Sequence, residues 1–200
     1  PLGYSKNFFT NKDIRDIDRY SVVFVGVIVE DQGLELILEA LPEINKIIPE
    51  IKVKIIGTGP FLAKFRNMAY EKNMKDLFIF YGFIESHGKM LDIVASSAVG
   101  ISLWDNRNNR FLNSYFGDPG KTKLYSACGL PVIVSNYTVY SQIIIRNQAG
   151  IAINYNQKEL TDALNLILRD DKIYYEYKTS AVRTALDYCD SEKIFSGVLT

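Results

Sequence analysis

Cysteine and histidine are nearly missing from this chain: Cys128, Cys189 and His87 are the whole complement in 200 residues. Neither cysteine belongs to a CxxC pair and no histidine cluster accompanies them, which excludes a structural zinc centre and a disulfide-stapled secreted scaffold. A reducing compartment is expected, with both thiols packed in helices. Also lacking is a surplus of either charge, since Lys plus Arg and Asp plus Glu each number 23. That balance removes the basic excess which would advertise nucleic acid or an anionic membrane surface as the main partner. No apolar run approaches the roughly 20 residues that span a bilayer, and the N-terminus has no signal-peptide pattern, so the chain reads as cytoplasmic. No carboxylate cluster suits Mg²⁺. His87 opens a helical stretch and is assigned no chemistry.

What is present is an alternation of buried strands and amphipathic helices. Strand-length apolar runs begin at Val22, Val53, Leu77, Val99, Pro131 and Gly150, rich in β-branched and aromatic residues and without polar alternation, as strands covered on both faces should be. Between them Leu34, Ile37, Leu38 and Leu41, then Leu62, Phe65, Met68 and Ala69, then Met90, Leu91 and Val94, then Leu160, Ala163, Leu164 and Ile167 follow the helical stripe. The fold expected is α/β: a Rossmann-like, open, mostly parallel six-stranded sheet with helices on both faces. Pro42 should end or kink the first helix. Residues 1–20, polar and aperiodic after Pro1-Leu2-Gly3, read as an appended end followed by an interdomain linker. Residues 21–200 read as the folded domain, and the whole as a fragment of a longer protein. Tyr174, Tyr177, Ala181, Ala185 and Cys189 give the last segment one semi-apolar face that packs back on the domain. Residues 104–115, rich in Asn and Arg, read as a loop.

In open α/β sheets ligands bind beyond the carboxyl ends of the strands, and here those ends carry glycine: Gly26, then Gly57-Thr58-Gly59-Pro60, then Gly82-Phe83-Ile84. The fourth strand leads to Asp118-Pro119-Gly120-Lys121-Thr122. Asp118 suits a helix N-cap and Pro119 the first helical position, so the N–H groups of Gly120, Lys121 and Thr122 would meet an anion at the positive end of a helix dipole. Gly117-x-x-Gly120-Lys121-Thr122 falls short of a P-loop, which requires its first glycine where Tyr115 stands. Gly57-Thr58-Gly59-Pro60 lacks the third glycine of a dinucleotide fingerprint.

The order of these elements, ending in Ala127-Cys128-Gly129-Leu130-Pro131-Val132-Ile133, resembles over residues 22–168 the C-terminal half of GT-B retaining glycosyltransferases of the group 1, or family 4, type. The resemblance implies a domain that binds the nucleotide of an activated sugar, UDP- or GDP-linked, for transfer to a glycan or lipid-linked acceptor held by an N-terminal domain. It implies no cofactor and no metal. Envelope polysaccharide assembly at the inner membrane face, with peripheral association through the other half, is the setting it suggests. Carried over by position, Gly26 and Val27 fall beside the donor diphosphate, Gly57 and Gly59 on the next turn, and Phe83 and Ile84 beside the nucleobase. The family's usual Arg and Lys after the first strand are replaced by Val27 and Gln32, and its paired glutamates by Phe116 and Leu124. Asp118, Pro119, Gly120, Lys121 and Thr122 offer replacement charge, and Tyr125 a replacement at the ribose. Two other readings stand beside this one: a non-catalytic interaction module that keeps the fold, and a nucleotide-binding regulatory domain.

Overall fold

A computed structural model of the chain describes residues 12–105 and 120–190. Six strands form one sheet: β1 (Asp18–Val25), β2 (Lys52–Ile56), β3 (Phe78–Gly82), β4 (Ser97–Ser102), β5 (Val132–Ser135) and β6 (Gly150–Ile153). Every pairing is parallel and the spatial order is β3-β2-β1-β4-β5-β6. The winding reverses between β1 and β4, so the crevice at their carboxyl ends is the topological switch point. All six residues of β4 and all four of β5 are buried, which explains why these runs show no polar alternation.

The helices are α1 (Leu34–Ile47), α2 (Leu62–Glu71), α3 (His87–Ala95), α4 (Gly120–Ala127), α5 (Val139–Arg146), α6 (Gln157–Arg169) and α7 (Asp171–Tyr188). Period-two alternation along the strands sorts them into two layers. Val22, Phe24, Val53, Ile55 and Phe78 face α1, α2 and α6 in one apolar cluster. Val23, Ile56, Val132 and Val134 face α3, α4, α5 and the far half of α7 in the other. Helix α7 begins with Tyr174 in the first cluster and continues with Ala181 and Ala185 in the second, crossing the sheet where the strands begin. The last segment therefore packs back as its apolar face predicts.

Two boundaries differ from expectation. Pro42 lies inside α1, which continues to Ile47; Leu34, Ile37, Leu38, Leu41 and Ile44 are all buried along one stripe, and that burial outweighs the one backbone bond proline forfeits. The folded region also starts before residue 21. Asp13 caps a short 3-10 turn (Ile14–Asp16), and β1 opens at Asp18, whose N–H bonds the Ser96 carbonyl at 2.9 Å. The polar composition there reflects a strand entering at the rim, with Arg19 reaching α7. Both cysteines are buried and unbonded to each other, just past the ends of α4 and α7, and burial pushes the Cys128 thiol up to about 12.

Candidate functional site

Three glycine turns meet at the carboxyl edge of the sheet. The Gly26 N–H donates to Ile56 O at 3.0 Å, Gly57 N–H to Gly82 O at 2.8 Å, and Ile28 N–H to Thr58 O at 2.9 Å. Phe61 N–H closes the lattice on Ile28 O at 3.1 Å. A Cβ on Gly57 would drive into the Gly26 carbonyl, and one on Gly59 into the backbone of Ile28. At Gly57 and Gly59 no side chain is admitted, because the space a Cβ would take is filled by the backbone of the neighbouring turn. They shape the floor of the site.

Gly26 differs. With φ at +147°, its side faces the ring of Phe24 and the ammonium of Lys121, 3.9 Å from where a Cβ would stand. Lys121 lies in the first turn of α4, across the sheet from the β1–α1 turn, and its Nζ donates to Gln32 Oε1. Beneath that ammonium are the rings of Phe24, at 4.6 Å, and Trp104, at 5.0 Å. Burial drives the Lys121 amine down to about 7, while the carboxylate of Asp31 pulls the other way. Asp31 Oδ1 is itself buried without a hydrogen-bond partner among the described residues. Trp104 is fixed from behind: its backbone N–H donates to Ser135 Oγ at 2.8 Å, and that hydroxyl bonds back to the Trp104 carbonyl at 3.2 Å. The site is a cation on an aromatic floor beside a helix N-terminus, the chemistry that holds an anion.

Of the expected residues, Gly26 and Lys121 come together here, and Gly120 precedes Lys121 at the start of α4. Val27, 63% exposed, sits on the rim. Phe83 and Ile84 lie one turn away beyond β3, with Phe83 75% exposed and Ile84 packed partly against the second cluster. Tyr125 is turned inward, not toward the open crevice. It is fully buried, its ring fills the space beside Gly100, and its hydroxyl accepts the Val25 N–H at 2.8 Å. Helical spacing explains this, because four residues after Lys121 the side chain lies on the same face of α4 one turn further along, over the sheet and away from the helix start. Thr122 is likewise buried, so only its backbone faces the helix start. Asp118 and Pro119 lie outside the described residues, as does most of the 104–115 loop.

Gln32 and Phe24 were not legible as site residues. Gln32 reads from sequence only as the loss of a usual lysine; its place just before Gly33, where α1 opens, is the one signal that it stands at the strand's carboxyl end. Among the described residues no three His, Cys, Asp or Glu side chains group as a metal site, and no helix is long and apolar enough to cross a membrane.

The fold and its crevice have relatives. A mannosyltransferase of Mycolicibacterium smegmatis, described as GDP-mannose-dependent alpha-(1-6)-phosphatidylinositol monomannoside mannosyltransferase, is 23% identical over 164 residues, covering 78% of this chain and 40% of that protein. The C-terminal domain of a glycosyl transferase group 1 family protein (LpcC) from Francisella tularensis superposes with a TM-score of 0.77 at 17% identity, covering 94% of this chain and all of that one. Anabaena Alr3699/HepE, solved in complex with UDP, gives a TM-score of 0.81 at 14% identity, covering 98% of this chain and 54% of that one. The chain thus spans about two-fifths of the length of the mycobacterial relative. Residues 19–170 match the model of the glycosyl transferases group 1 family, and the chain, a Rossmann-like domain of GT-B type, belongs to that family.

Proposed function

We propose that this chain is the donor-binding domain of a retaining glycosyltransferase, taking a nucleoside-diphosphate sugar at the crevice between β1 and β4. The observation that carries the reading is the Lys121 ammonium, held over Phe24 and Trp104 against the Gly26 turn. A diphosphate seated there receives one ammonium and the positive end of the α4 dipole, each favourable to negative charge. The nucleobase then extends toward Phe83 and Ile84, where the exposed aromatic ring of Phe83 faces solvent.

In the transfer step the sugar–phosphate bond breaks and charge builds on the departing nucleoside diphosphate. Lys121 and the α4 dipole oppose that charge where it develops, the form of electrostatic stabilisation that does not require a metal or a cofactor. The acceptor, a glycan or lipid-linked sugar, is held by the portion of the relatives' length that this chain does not span, so the domain alone binds donor without turning it over. A relative named for GDP-mannose and a structural neighbour holding UDP leave both bases as candidates.

Calorimetric titration with UDP, GDP, ADP and their sugar conjugates tests the site and the base together. Saturable binding of UDP or GDP that is lost in Lys121→Ala is the expected result. No binding by any nucleotide would turn the reading toward an interaction module, and a preference for ADP toward a regulatory domain.

A further inference from the structure

Gln32 and Lys121 reach the same point from opposite faces of the sheet. Gln32 precedes α1, which belongs to the first apolar cluster, and Lys121 sits on α4, which belongs to the second. Their side chains meet tip to tip at the switch point. Gln32 is only 7% exposed, and its backbone N–H donates to Val29 O at 3.4 Å within the turn, so its amide has little freedom to follow a mobile partner.

An ammonium carries three protons. Gln32 Oε1 takes one, and the Phe24 and Trp104 rings offer π faces and no lone pairs. A neutral amide fixes the ammonium and leaves its charge uncancelled, whereas a carboxylate in the same place would neutralise it. Among the described residues the charged group that acts on it is Asp31, whose carboxylate favours the ammonium. Burial opposes the charged form and brings the amine to about 7, so the amide acceptor and an incoming anion both act on a group close to losing its proton.

Resting on the donor-site reading above, we propose that Gln32 is a positioning residue for the donor diphosphate: its buried amide oxygen fixes the Lys121 ammonium against the Gly26 turn, and the contact can carry the charge from either side. Exchanging the two residues returns an ammonium and an amide to the same junction. Replacing Gln32 by Glu keeps the shape and abolishes the net charge.

The test uses this chain as wild type, Gln32→Leu, Gln32→Glu, Lys121→Gln and the Gln32→Lys/Lys121→Gln exchange, with thermal unfolding to verify that each is folded. One readout needs no ligand: the NMR titration of the Lys121 Cε shift. It moves further down in Gln32→Leu, because the charged form loses its acceptor, and up in Gln32→Glu. The other is UDP and GDP affinity by calorimetry. Lys121→Gln loses about 10- to 100-fold, the worth of a charge-assisted hydrogen bond; Gln32→Glu loses a similar factor, and the exchange recovers most of it. Should Gln32→Leu not fold, Gln32→Asn, which shortens the reach and keeps the amide, takes its place with the same expected direction. A Lys121 titration indifferent to residue 32, or an exchange variant as weak as Lys121→Gln, overturns the positioning role while leaving the donor site standing. Wild-type protein that binds none of the nucleotides or their sugars overturns both.

Discussion

The two ends of β1 each hold a cation over an aromatic ring, and the two are put to different uses. At the opening end, the Arg19 guanidinium lies 4.0 Å from the centre of the Tyr174 ring, donates to Ile167 O at 2.9 Å and pairs with Asp171 at 3.3 Å. At the closing end, Lys121 lies over Phe24 and Trp104 and is bonded to the neutral amide of Gln32. A carbonyl and a carboxylate make Arg19 a clasp between β1, α6 and α7. An amide as its hydrogen-bond partner, with the Asp31 carboxylate acting only through space, leaves Lys121 with charge to offer. Aromatic support is common to both, so the partner's charge, and not the ring, separates a structural cation from one available to an anion.

The largest effect tests the frame on which the second cation depends. Gly57→Ala sets a methyl into the Gly26 carbonyl at a backbone φ of +131°, and should cost about 2–4 kcal/mol in urea unfolding, with loss of nucleotide binding as the turns separate. The two cations then separate by opposite signatures. Arg19→Met removes a carbonyl bond and a cation–π contact and should lower stability by roughly 2–3 kcal/mol with nucleotide affinity unchanged. Lys121→Met should lower UDP or GDP affinity by about 10- to 100-fold with stability unchanged or raised, since it deletes a charge that burial disfavours. If both variants lost stability and neither lost affinity, the contrast between the two ends of β1 would be void.

The sequence carried the architecture because layer and strand are written in periodicity. Leu34, Ile37, Leu38 and Leu41 bury one helical stripe, and β4 and β5 read as apolar runs because both their faces are covered. Gly26 and Lys121 were legible as a pair because position after a strand and position at a helix start are local facts. Tyr125 was misread because its direction depends on helical phase relative to Lys121 and on the bare face of Gly100, a contact across 25 residues of sequence. Gln32 was missed for a related reason: an amide acquires meaning from what lies opposite, and its partner comes from the other face of the sheet. Pro42 shows propensity yielding to burial along the rest of α1.

Proton linkage sharpens the contrast at one end only. In the folded chain the Lys121 amine stands at about 7 against an ordinary 10.5. Between those values the unfolded chain binds more protons at this residue, so its contribution makes stability rise with pH across that window. Donor binding runs the other way. A bound diphosphate favours the ammonium, so above pH 7 binding takes up a proton and affinity falls as pH rises. A nucleotide sugar is the right probe, because its diphosphate has no ionisation of its own in this range. Titrations in two buffers of different ionisation enthalpy should show proton uptake in wild type and none in Lys121→Met; equal heats for the two proteins would mean that Lys121 does not titrate with the donor.

The smallest effect belongs to a third cation, Lys64, which pairs with Glu30 at 2.8 Å on the same β1–α1 turn. Both side chains are more than half exposed, and water and salt screen such a pair so well that the entropy of holding two long side chains cancels most of its attraction. Lys64→Ala should therefore leave the unfolding midpoint where it is. Its effect on nucleotide affinity should vanish at raised ionic strength, while that of Lys121→Met persists because the aromatic floor and the α4 turn keep solvent ions from the ammonium. A Lys64 variant as damaging as the Lys121 variant in high salt would show that the turn responds to charge at its rim as much as to charge held inside it, and nearness to the crevice, in place of burial, would then be what makes a cation here functional.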